Sequence, residues 1–212
     1  MTTATASASG WPRIVRSLLY VAMGLFLVTV VIGILNGLDL YEFDRNQLLT
    51  HVHSGTLGWV TLSLVAASFW LFRSGDRRLA GAMAILIAAY VVAFYTGHLW
   101  FRAITGVALF VAIAWLLVWA WRGYFALGSL PALAVALGFT TFAYGAVIGV
   151  LLQVQMASGT TMFPGGGDVI GAHAGTMVFS YLVLVAMGLI EWRVRGTAGR
   201  PVAGLVQMAA LF

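Results

Sequence analysis

Cysteine is absent from the 212 residues. That excludes disulfides, thiolate metal sites, iron–sulfur clusters and covalently attached c-type haem together. Lysine is absent too: all eleven basic residues are Arg, set against six Asp and Glu, for a formal net charge of +5. No basic cluster alternates with aromatics, so nucleic-acid binding is not expected. Carboxylates are too few to support a proton channel, and Glu191 needs no special role at the end of an apolar segment. Charged residues make up only 8% of the chain and hydrophobic ones 62%, with a mean hydropathy of +1.00. Too little polar sequence remains to cover a soluble domain of this size.

What is present is a set of long, continuous apolar runs. In lipid the backbone must satisfy its own hydrogen bonds, so the choice is helices or a closed barrel, and runs without alternation favour helices. Six segments reach the roughly 20 residues a span needs: Val15–Leu38, Thr50–Phe72, Leu79–Leu99, Ile104–Trp121, Leu127–Met156 and Val169–Trp192. The expected fold is an all-α, polytopic membrane helical bundle. Arg13, Arg16, Arg73, Arg77, Arg78, Arg122, Arg193, Arg195 and Arg200 fall on one side of it, Arg45 and Arg102 on the other. By the positive-inside rule both termini are cytoplasmic, in a bacterial-type inner membrane. Residues 1–12 lack an early charged region and read as a disordered tail, not a signal peptide. Residues 13–195 form the membrane domain and 196–212 a C-terminal tail. That tail is apolar again from Pro201, which leaves open a longer protein or a segment lying on the membrane.

The first two spans resemble the last two. Val31-Ile32-Gly33-Ile34-Leu35 matches Val147-Ile148-Gly149-Val150-Leu151, and His53-Ser54-Gly55-Thr56-Leu57 matches His173-Ala174-Gly175-Thr176-Met177. The shifts are 116 and 120 positions, and the difference fits in the loop Pro164-Gly165-Gly166-Gly167. Two hairpins related by an axis along the membrane normal are expected.

Only four histidines occur: His51, His53, His98 and His173. His51 and His53 open the second span, His98 closes the third and His173 opens the sixth, all near the extracytoplasmic face. Ionisable groups at one depth in a membrane mark a site, and imidazole is a strong ligand for haem iron, zinc or copper. The repeat pairs His53 with His173 as axial ligands of one haem. Ser54, Gly55, Ala174 and Gly175 are small enough to admit a macrocycle, with Gly33 and Gly149 on the neighbouring spans. His51 and His53 are about 200° apart on a helix, so they serve different sites. His51 then faces elsewhere, and the span carrying His98 is the expected neighbour. A second haem on His51 and His98, a five-coordinate haem on His51 alone, or a hydrogen-bonding or capping role for His98 stays open. Arg102 and Arg45, the only Arg on that side, are candidates for the propionates, with interfacial anchoring as the plainer role. Trp59 and Trp100 fit a membrane belt or core better than a cofactor contact.

The stretch His51-Val52-His53-Ser54-Gly55-Thr56-Leu57-Gly58-Trp59-Val60 closely resembles the tenth helix of the catalytic subunit of cbb-type cytochrome c oxidases, in the haem–copper oxidase superfamily. The resemblance implies that His51 is the ligand of a high-spin haem, that His53 is the ligand of a low-spin haem, and that His173 is the opposite low-spin ligand. It implies haem near the outer face in a shortened, six-helix form. The family has about twelve helices and an adjacent His pair at copper; this chain has no such pair, so a copper centre is not expected.

The reading is therefore a membrane b-type cytochrome with one haem b and room for a second. It would move electrons between a quinol or membrane donor and an extracytoplasmic redox protein or larger respiratory complex. Asp39, Glu42 and Asp44 form an acidic outer loop that could guide a basic partner, although a merely solvated loop is the simpler view. Two rivals differ in class: an oxidase-like enzyme reducing NO or O₂ on a high-spin haem held by His51, and a non-haem carrier lined by His. Electron-transfer subunit and oxidoreductase both remain open.

Overall fold

The computed structural model describes residues 10–163 and 167–196; residues 1–9, Arg200, the tail from 197 onward and most of the Pro164–Gly167 loop lie outside them. Among the described residues there are helices and no strands. Six helices are long and apolar enough to cross a membrane: α1 Trp11–Gly37, α2 Arg45–Leu71, α3 Arg77–Thr96, α4 Leu99–Leu127, α5 Leu130–Ser158 and α6 Val169–Arg195. At about 1.5 Å per residue the 29-residue α4 and α5 reach roughly 43 Å, well past a ~30 Å hydrocarbon core. Trp11 and Pro12, expected in the tail, instead form the first turn of α1, and Trp11 packs edge-on against Trp70 at 5.4 Å.

Local sequence sets the ends. Asp44 caps α2: one carboxylate oxygen accepts from the backbone N–H of Asn46 at 2.7 Å and of Gln47 at 2.9 Å. The Gln47 side chain accepts from the Asp44 N–H in return, at 3.0 Å. Such a reciprocal cap contributes about 0.5–2 kcal/mol, and it gives Asp44 a structural duty in the acidic loop. Asp76 and Asp168 cap α3 and α6 without the reciprocal bond, accepting from the N–H groups of Arg78 and Leu79 and of Gly171. Gly97, Gly128 and Gly159 end α3, α4 and α5 in left-handed conformation, where a side chain would be strained. Gly97 corrects one expectation: His98 does not close the third span but stands outside it, as the residue before the first turn of α4.

Two helices are interrupted by π-helical turns, Ser54–Thr61 in α2 and Thr176–Leu182 in α6. Each begins shortly after a histidine, and π turns inside α-helices are frequent at functional sites. They change the face that the following residues present, because each turn carries more than 3.6 residues.

The core lies where α2 to α6 meet, around Phe69, Met83, Ile87, Phe94, Leu116, Phe139, Phe142 and Tyr181, all at most 1% exposed. α1 packs mainly on α2 and leaves Tyr20, Leu27, Val31 and Ile34 exposed, a face suited to lipid. Glycine sets the α5–α6 crossing. A Cβ on Gly138 would strike the Val185 side chain, and one on Gly188 would come within 2.9 Å of the Pro131 carbonyl oxygen and of Ala134 Cβ. Small residues allow such close approach between membrane helices. Gly188→Val is expected to lower stability by about 1–3 kcal/mol, the usual range for overpacking. Gly24→Val, where a Cβ meets nothing within 4 Å, should be near neutral. Thermal unfolding in detergent checks this, and equal melting temperatures for the two variants would refute it.

Candidate functional site

A cavity of about 210 Å³ opens between α2, α3, α4, α5 and α6. This is smaller than the ~300–1,000 Å³ typical of cofactor and ligand sites. Leu57, Leu109, Ile113 and Phe142 make its walls apolar, and Val52, Ile170 and Val178 stand at the exposed lip. Its two imidazoles are His53, from α2, and His173, from α6.

Each of these rings is held by its inner nitrogen. His53 Nδ1 lies 2.7 Å from the Leu49 carbonyl oxygen, and His173 Nδ1 lies 2.8 Å from that of Gly145. A carbonyl can only accept, so Nδ1 carries the proton in both rings and Nε2 keeps its lone pair. Metal-binding histidines are oriented by this kind of bond from the other ring nitrogen. His53 is also stacked on Phe94, with ring centroids 3.9 Å apart and 18° between planes, and meets Tyr90 edge-on at 5.8 Å. His173 lies over Gly149, where a Cβ would stand 2.7 Å from the ring Cε1. Only glycine admits the ring in that position.

His51 points away from this cavity. Its Nδ1 is 2.8 Å from the Thr29 carbonyl oxygen, and its ring lies over Gly33 of α1, 2.9 Å from a Cβ there. Ser54 reinforces the contact through a 2.6 Å hydroxyl–hydroxyl bond with Thr29. The opposite directions of His51 and His53 follow the helical angle, but the third span, expected beside His51, lies beside His53 instead. His53 faces α3 and the cavity, and His51 faces α1. His98 is exposed at the start of α4 and makes no bond with His51. Among the described residues no three His, Asp or Glu gather around one point.

The other expected site residues divide. Arg102 is 3% exposed and turned inward. It donates to the carbonyl oxygens of Ala93 at 3.3 Å and Phe94 at 3.0 Å, and to the Asn46 side chain at 2.6 Å. It therefore neither lines the cavity nor reaches the interface. Arg45 is exposed at the first residue of α2. Gly55 faces Thr29 of α1, a Cβ on Gly175 would meet open space, and neither glycine lines the cavity. Gly106, Ala146 and Gly149 do. Trp59 packs against Phe26 at 4.9 Å and Trp100 is exposed, away from the imidazoles.

The contacts of α1 with α2 recur between α5 and α6. The Thr29 carbonyl and His51 correspond to the Gly145 carbonyl and His173. Gly33 beneath His51 corresponds to Gly149 beneath His173. The Phe26–Trp59 pair corresponds to Phe142–Tyr181, stacked at 4.3 Å, and the π turns begin at Ser54 and Thr176. The first partner moves by 116 positions throughout (29 to 145, 33 to 149, 26 to 142), the second by 122 (51 to 173, 54 to 176, 59 to 181). By contact, then, the counterpart of His173 is His51, two residues from the one that letter matching selects. Sequence reasoning passed over Phe94 and Tyr90, which frame His53; no motif marks them. The chain matches no protein-family model, no curated protein and no solved structure.

Proposed function

We propose that this chain is a membrane b-type cytochrome in which His53 and His173 hold one haem b in the cavity between α2 and α6. The observation that carries the reading is that one apolar cavity contains two imidazoles from different helices, each with Nδ1 committed to a carbonyl and Nε2 left as the donor. Bound there, the haem would supply one-electron transfer. The chain's own part is to orient the two rings, leave a Cβ-free wall at Gly149, and keep water out with Leu57, Leu109, Ile113 and Phe142.

Two ligands from the chain would leave no coordination position for a gas, which favours electron transfer over O₂ or NO reduction. Electrons would pass from a quinol or other membrane donor to an extracytoplasmic partner. The Arg distribution supports cytoplasmic termini and a haem near the outer face of an inner membrane. The recurring contacts support a duplicated hairpin, in the register that equates His51 with His173. His53 is then the residue specific to the first hairpin. Resemblance of the His51–Val60 stretch to cbb-type oxidases suggests shared ancestry with the haem–copper oxidases.

The rival, a gas-binding haem on His51, draws on the same kind of ring anchoring at Thr29. Optical spectra of the purified protein separate the two. Sharp reduced low-spin bands that carbon monoxide leaves unchanged are expected. A CO-shifted band would transfer the assignment to His51, and a spectrum without a Soret band would end both haem readings.

A further inference from the structure

Arg102 is a buried cation without an acidic partner: among the described residues, no carboxylate lies within ion-pairing distance of it. A charge in such surroundings is costly unless the site is built for it. Here it is built. The Ala93 and Phe94 carbonyls come from the last turn of α3, where the helix dipole is negative, and each also accepts a local bond, from the Thr96 hydroxyl at 3.0 Å and the Gly97 N–H at 3.1 Å respectively. Asn46, in the first turn of α2, presents its side-chain oxygen at 2.6 Å. Its amide nitrogen lies 3.0 Å from where a Cβ on Gly97 would be, so the glycine leaves space for that orientation. The guanidinium carbon also stands 4.5 Å from the centre of the Phe94 ring. The opposite neighbour of that ring is the imidazole of His53, stacked at 3.9 Å.

Guanidinium, phenyl and imidazole thus form a layered series ending on a cavity ligand. We propose that Arg102 is a positioning residue acting through Phe94: it holds His53 in place and raises the reduction potential of the group His53 binds. This rests on the haem reading above. The mechanism is electrostatic. A fixed positive charge in a low-dielectric setting favours the form carrying one more electron, and it needs no reorganisation to do so. With an effective dielectric of ~20 and one aromatic layer between charge and ligand, the effect is on the order of tenfold in the reduced-to-oxidised ratio. That corresponds to about 59 mV for a one-electron couple.

The test compares wild type, Arg102→Gln, Arg102→Lys and Phe94→Leu as full-length proteins in detergent. Haem content is measured first and the midpoint potential second, by redox titration of the absorption bands. Arg102→Gln keeps donors for the carbonyls and should retain haem, but its ratio at fixed potential should fall about tenfold, a shift to more negative potential. Arg102→Lys should return most of that shift. Phe94→Leu keeps Arg102 and should alter the low-spin electron paramagnetic resonance signature, because the imidazole loses its stacking partner. An unmoved potential in haem-replete Arg102→Gln, or a Lys variant no closer to wild type than Gln, overturns the proposal. Should Arg102→Gln not accumulate, an unchanged potential and signature in Phe94→Leu overturn it instead. Wild type without haem overturns both this inference and the haem reading, whereas haem with an unmoved potential overturns this one alone.

Discussion

His173→Ala is expected to abolish the low-spin signal of the proposed haem, while His98→Ala is expected to leave it unchanged. His173 lines the cavity with its Nδ1 tied to Gly145 at 2.8 Å, so under the cytochrome account it supplies one of two axial nitrogens. Loss of an outer-shell partner alone typically weakens metal binding about 10–100-fold. Loss of the ligand itself should exceed that, leaving little or no haem after purification. The alanine also leaves a space in the α6 wall, so added imidazole should restore part of the low-spin spectrum. His53→Ala should behave alike. His51→Ala should retain the signal, because that ring lies against α1. Optical spectra and haem content check all four variants, and an unaltered spectrum in His173→Ala would refute the pairing.

A matched pair of glycine substitutions gives the second large effect. A Cβ at position 149 would stand 2.7 Å from Cε1 and 3.1 Å from Nδ1 of His173. The ring must then move, and its bond to the Gly145 carbonyl breaks with it. Gly149→Val is therefore expected to reduce haem content about tenfold or more, the scale of lost ligand orientation. Gly33→Val imposes the same steric demand on His51, at 2.9 Å, yet should leave haem content near that of wild type. Since the two sites share one geometry, general damage to folding should appear in both variants equally. Haem loss confined to Gly33→Val would make His51 the ligand and favour the gas-binding rival.

The helices were legible because membrane spans are written as long apolar runs, but their stops at Gly97, Gly128 and Gly159 were not: the expected third span ran past Gly97 to Leu99 and the expected fifth began before Gly128. The two cavity histidines were legible because so few imidazoles are available. Other features depend on contacts that letters do not carry. The π turns after Ser54 and Thr176 have no sequence signature, and they help explain why the repeat was read two residues out of register. Matching His-x-Gly-Thr aligns identical letters, whereas the contacts align a ring over a glycine, Gly33 with His51 and Gly149 with His173. The burial of Arg102 was hidden for a related reason. An Arg near a span end reads as an interfacial anchor, and only the position of the α3 terminus beside it turns the side chain inward. His98 was misplaced because Gly97, a single left-handed residue, ends α3 before it.

The haem-to-protein ratio of the purified full-length chain tests the central claim most directly. One bis-histidine site predicts one low-spin haem b per chain. A folded helical protein that carries no haem, after expression with haem synthesis intact, would contradict the account.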